Sequence, residues 1–151
     1  MEQKTSKAQI LDDVVEHIKN QGGRAVNTLG ACLYVYGKKL CSHSMALKPE
    51  HRNDDFDGYK ADDVIDALGD EAHQEKYQGH EPEFWVKVQE FHDVEKNWNK
   101  DGSITEKGEL RLKKLKERYQ KNELHNSSSN LHFSNCVCWV SLLNIFKRFF
   151  R

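Results

Sequence analysis

No apolar run in this sequence approaches the roughly 20 residues that an α-helix needs to cross a bilayer, so no membrane-spanning helix is expected. Proline is scarce: Pro49 and Pro82 are the two in 151 residues, which leaves helical stretches uninterrupted. Neither sign of charge dominates. The 23 basic and 24 acidic residues leave a net charge of −1. Without the basic footprint of a duplex binder, no specific nucleic-acid binding is expected. The opening residues, MEQKTSKAQILDD, hold no apolar h-region, so a secretory signal is not expected. A cytosolic setting then favours free thiols over disulfides for Cys32, Cys41, Cys136 and Cys138. There is no phosphate-cradling glycine loop, and no nucleophile-elbow pattern surrounds Ser42 or Ser44.

What is present is a lean core under a polar surface. Hydrophobic residues make up 37%, charged residues 31% and aromatics 10%. The aromatic content separates the chain from a disordered one, and its length suits one domain. Residues 126–151 hold Lys147, Arg148 and Arg151 and no acidic residue, so the rest of the chain carries −4 against the total of −1.

Ser6 followed by Gln9 is a capping-box pattern, and Ile10, Leu11, Val14, Val15 and Ile18 recur at helical spacing. Gln21-Gly22-Gly23 stops that helix, which is placed at about 7–21. Residues 31–36 are β-formers, Gly37-Lys38 suits a tight turn, and 39–43 return as a second strand. A lone hairpin is marginal in water, so it must lie against helices or a third strand near 24–27. Residues 48–60 and 69–81 read as polar loops, with a short helix over 61–68 between them. Pro82 fits the first turn of a third helix, whose apolar side carries Phe84, Trp85, Val88, Phe91 and His92. Thr105 can cap a fourth helix, with Leu110, Leu112, Leu115 and Tyr119 on its apolar side and a basic second half. The expected fold is α+β and mainly helical: about four helices packed on a small β-hairpin, plus a C-terminal hydrophobic segment. One domain covers 1–125, a Ser/Asn-rich linker 126–135, and a hydrophobic and basic segment 136–151.

The turn after the third helix resembles the start of an EF-hand calcium loop. With Gly102 at position 6, oxygen ligands would come from Asn97, Asn99, Asp101, Ser103 and Thr105. Two positions fail. Asn97 is neutral where a carboxylate is needed, and position 12 is Gly108 instead of a bidentate glutamate. That degenerate loop is too poor in charge for tight calcium binding, and Asn-Lys-Asp-Gly also reads simply as a turn.

A second metal reading gathers Cys32, Cys41, His43 and His51 as thiolate and imidazole ligands for zinc. The hairpin would bring the two thiols near each other, and His43 shares a strand face with Cys41. The spacing lacks the paired C-x2–4-C knuckle, and the plain alternative is two buried thiols beside two surface histidines. His92-Asp93 could supply a general base or a metal ligand. Neighbours on a helix diverge, however, so these two are not expected as a pre-formed dyad, and His92 is expected as a structural histidine bonding to the loop after the hairpin. No catalytic constellation emerges, so a non-enzymatic protein without an obligatory cofactor is expected.

In the last segment, Ser141, Asn144, Arg148 and Arg151 form one polar stripe on an otherwise apolar helix. Three readings stand: a membrane-interface or partner helix on an anionic surface, a final core helix, or an added extension. In the first, Trp139, Phe146, Lys147, Arg148, Phe149 and Phe150 make the contact.

The order of motifs resembles a group of small proteins of tailed phages and prophages. It runs from the amphipathic helix ending in Gln-Gly-Gly-Arg-Ala to the hairpin residues Cys32, Tyr34, Gly37, Lys38 and Cys41. It continues through Gln89, His92, Asp93 and Trp98 to Thr105, Glu106, Gly108 and Glu109. The resemblance covers about residues 8–121. Where such proteins carry a Cys-Ala-Val-Gly-like run, this chain has Cys41-Ser42-His43-Ser44. The resemblance implies a phage-encoded accessory protein in the cytoplasm of a bacterial host, peripheral to the membrane if the tail engages it. Its partner would be a host or phage protein.

Overall fold

The computed structural model describes residues 4–122 and 124. Among them are four α-helices and one two-stranded antiparallel sheet: α1 (Lys7–Asn20), β1 (Val35–Tyr36), β2 (Lys39–Leu40), α2 (Ala61–Leu68), α3 (Pro82–Asp93) and α4 (106–122). This is the α+β, mainly helical architecture that the sequence predicts. The chain divides into two compact units, Met1–Lys116 and Glu117–Arg151. The linker 126–135 and the segment 136–151 lie outside the described residues.

Helix α1 begins where its cap requires. The Ser6 hydroxyl accepts from the Gln9 N–H at 3.2 Å, satisfying one of the free donors of the first turn. Ile10, Leu11, Val14 and Ile18 are wholly buried, so the predicted stripe is the core face. The helix ends as the Gly23 N–H folds back onto the Ile18 carbonyl at 3.0 Å.

The hairpin is shorter than 31–36 paired with 39–43. Only Val35 opposite Leu40 and Tyr36 opposite Lys39 form the ladder. The flanking backbone is bound elsewhere. Leu33 N–H donates to Ala25 O at 2.9 Å, and Tyr34 N–H donates to the Asp57 carboxylate at 2.6 Å. The expected third strand is reduced to one bridge, Val26 with Cys32. The Gln21 side chain takes the place of a strand: its amide accepts from Leu40 N–H and donates to Leu40 O, both at 2.9 Å.

The segment 48–60 is the surface loop expected, with no residue buried, whereas 69–81 is partly buried. Both form successive 3₁₀ turns, including Pro49–His51, Asp54–Phe56, Asp70–Ala72 and Glu75–Tyr77. The second segment buries Ala72, His73 and Tyr77, and Leu47 bridges to His73. Polar composition hid this, because the buried polar groups are matched internally. Helix α2 packs on α3, and α4 is capped by Thr105, whose hydroxyl accepts from Gly108 N–H at 3.1 Å. On α4, Leu112 and Leu115 are half-buried, whereas Leu110, expected on the apolar side, is exposed. Lys116 reaches back to the Asp12 carboxylate of α1 at 2.6 Å. Among the described residues no helix is long and apolar enough to cross a membrane.

Candidate functional site

Two clusters of chemistry-bearing side chains meet at the hairpin. The first lies inside the core. Cys41, Ser42, His43 and Ser44 are all buried, so His43 is not the surface histidine that the plain reading assigned. Tyr34 hydroxyl lies 2.9 Å from His43 Nδ1, and His43 Nε2 lies 3.0 Å from His73 Nε2. His73 Nδ1 is 3.2 Å from the Asp70 carboxylate. The proton positions follow from the carboxylate, which can only accept. His73 must carry its proton on Nδ1, so its Nε2 accepts. His43 then donates from Nε2 and accepts on Nδ1 from the Tyr34 hydroxyl. Burial favours the neutral form of both imidazoles, while Asp70 acts on His73 in the opposite sense. Burial, and secondarily the neighbouring His73, pushes the His43 pKa down to about 3. Trp85 stacks on His73 with ring centroids 4.8 Å apart.

The second cluster borders a cleft of about 200 Å³ whose lining includes Cys32, Tyr34, Cys41, Lys60, Glu90 and Asp93. Here Cys32, His92 and Asp93 place one ligand atom each within 4.8 Å of one another. Cys32 is held by the Val26 bridge, while His92 and Asp93 close the last turn of α3. Contrary to the expectation for helix neighbours, His92 Nδ1 is 2.8 Å from Asp93 Oδ1. The helix stops at Asp93, with extended backbone at Val94, so the carboxylate is free to fold back over the ring. Sequence reasoning missed this pairing for that reason. The His92 ring is wholly buried, and its Nε2 has no hydrogen-bond partner. Its backbone carbonyl instead accepts from the indole N–H of Trp98 at 3.0 Å, so the ring makes no bond to the loop after the hairpin.

Burial first, and then the neighbouring Asp93 charge, pushes the Cys32 thiol up to about 12. Arg24 acts in the opposite sense: its Nη1 lies 3.4 Å from Cys32 Sγ and donates to the Asp93 carbonyl at 3.0 Å. Burial and the Asp93 charge thus work against the thiolate form that a nucleophilic cysteine uses.

The predicted zinc set does not assemble. His43 has both ring nitrogens engaged by Tyr34 and His73, and His51 sits on the 3₁₀ turn Pro49–His51. Cys32 and Cys41 do share the cleft, but the ligand group that converges among the described residues is Cys32, His92 and Asp93.

Each residue of the calcium-like turn has a structural role instead. Asn97 is buried, donating to Phe91 O at 2.8 Å and accepting from Arg111 at 2.9 Å. Asn99 donates to Ser103 Oγ, and Asp101 accepts from both the Ser103 N–H and hydroxyl. Thr105 donates to Lys96 O while capping α4. A Cβ at Gly108 would stand 2.4 Å from Asn97 O, which explains why no glutamate occupies that position. The tail contacts proposed for Trp139, Phe146, Lys147, Arg148, Phe149 and Phe150 lie outside the described residues. Comparison with known proteins found no matching family model, curated protein or solved structure.

Proposed function

We propose that this chain is a small accessory protein of the tailed-phage type, which acts in the bacterial cytoplasm by binding a host or phage protein, without catalysis of its own. The observation that carries this reading is Leu29, which is 91% exposed at the tip of loop 27–31. That loop is locked from within. The Asn27 side chain accepts from Leu29 N–H at 2.9 Å and from Ala31 N–H at 3.0 Å. Its backbone exchanges two further bonds, with Gly30 N–H and with Ala31 O, each at 3.0 Å. A single exposed leucine on a mobile loop would carry no message. The backbone that carries Leu29 is already ordered, so burial of its side chain by a partner, about 2 kcal/mol, is gained without the cost of ordering the loop. Tyr36, at the end of β1, adds an exposed aromatic residue of the kind that dominates binding hot spots.

The test is affinity purification of the tagged full chain from expressing bacterial cells, beside a Leu29→Asp variant. A partner enriched at least about tenfold over control with the parent chain, and lost with the variant at unchanged melting temperature, is the expected result. Recovery of the same proteins with both chains, or of background alone, overturns the reading.

A further inference from the structure

We propose that Cys32, His92 and Asp93 form an open three-ligand site for a divalent cation of the zinc class, with its fourth coordination position facing the cleft beside α3.

The donor set argues for the metal class. One thiolate, one imidazole and one carboxylate suit a borderline cation such as Zn2+, whereas magnesium and calcium favour oxygen ligands alone. The geometry argues for a ligand. The three donor atoms already converge within 4.8 Å, although they come from a loop before β1 and from the end of α3. Their mutual contacts are proton-bridged: the His92 Nδ1 to Asp93 Oδ1 contact at 2.8 Å, and the thiol set beside the same carboxylate. A cation takes the place of those protons, the thiol releasing its own to solvent, and relieves the crowding of two groups that are anionic when ionised.

Arg24 fits around such a site without filling it. Its guanidinium donates to the Cys32 sulfur and to the Asp93 backbone, the outer contacts that orient a thiolate ligand. With the ion's two positive charges and those of Cys32, Asp93 and Arg24, the assembly carries a net +1, which suits an added anionic or neutral donor from the cleft side. Cys32 and Asp93 both line that cleft, so a water or a ligand atom reaches the fourth position, as in zinc sites with three protein ligands. This inference stands apart from the Leu29 loop and does not depend on which partner that loop meets.

The test uses the full chain carrying Cys136→Ser and Cys138→Ser, so that the two thiols of the C-terminal segment cannot supply the signal. Titration with Co2+ should give a thiolate-to-metal charge-transfer band saturating at one ion per chain, reversed by Zn2+. Adding Cys32→Ser should abolish the band, and adding Asp93→Asn should weaken binding at least about tenfold. Cys41→Ser should leave both unchanged. Zn2+ should raise the melting temperature of the background chain and not that of the Cys32→Ser chain. Absence of the band in the background chain overturns the proposal, as does a band that survives Cys32→Ser or is lost with Cys41→Ser. If Cys32→Ser fails to fold, the Asp93→Asn titration decides: undiminished affinity there overturns the site.

Discussion

His43 Nε2 lies 3.0 Å from His73 Nε2, so two buried imidazoles share a single proton between them. That one contact joins residues 30 positions apart and links Tyr34 to Asp70, whose carboxylate sets the direction of the hydrogen bonds. Removing the Tyr34 hydroxyl or either imidazole leaves a buried polar atom of its neighbour unpaired. His43→Leu should cost about 3 kcal/mol, and Tyr34→Phe about 1 kcal/mol. The double variant should cost less than the sum, because both break one network. Urea unfolding of the two singles and the double measures this, and strict additivity would refute a connected chain.

The same pair makes stability depend on pH. Burial lowers the pKa of His43, to about 3, and also lowers those of His17, His73 and His80 from the usual 6.5. Between the folded and unfolded values, the unfolded chain binds more protons than the folded one, so stability rises with pH. The contribution is fully present above about 6.5 and is lost as pH falls toward the folded values. The melting temperature should therefore decline between about pH 6.5 and 5, before most carboxylates titrate. His43→Leu should flatten that decline. A flat profile in the parent chain over this window would show that the histidines are not held neutral.

Gly102 should tolerate no side chain. Its φ of 84° lies in the left-handed region, and a Cβ there would meet Ile18 O at 2.4 Å and Gly23 N at 2.5 Å. Both obstacles are backbone at the end of α1, so neither can swing away. Gly102→Ala should destabilise by more than about 2 kcal/mol, read by thermal unfolding. A loss under about 0.5 kcal/mol would mean that the turn does not dock on α1 in solution.

Calcium at millimolar concentration should leave the melting temperature unchanged. Asn97 Oδ1 already accepts from Arg111, so a cation there would face a guanidinium. Thr105→Ala, by contrast, should cost about 1 kcal/mol through the lost cap of α4. A calcium-dependent rise in melting temperature would show that the loop rearranges to bind.

Periodicity and capping chemistry act over a few residues, and these features were legible. Ser6, the Gly22-Gly23 stop, the 61–68 helix, Pro82 and Thr105 all mark the boundaries seen in the structure. The hairpin was legible as a turn but not in length, because strand length depends on what else the backbone can bond, here Ala25, Asp57 and the Gln21 amide. Of the cleft cluster, His92 and Asp93 were visible as chemistry and Cys32 as a thiol, but their meeting was not. It depends on how the 24–34 segment lies against the end of α3, a packing that no local pattern encodes.

By itself, then, the sequence determined the helices, their ends and the balance of core to surface, since these follow from side-chain spacing and from backbone groups satisfied within one turn. Tertiary structure alone decided the rest. It drew Ala72, His73 and Tyr77 of the polar stretch 69–81 into the core, where His73 finds His43 and Trp85. It also brought Cys32 to His92 and Asp93. Buried polar groups survive only when partners distant in sequence satisfy them, and only the folded chain supplies those partners.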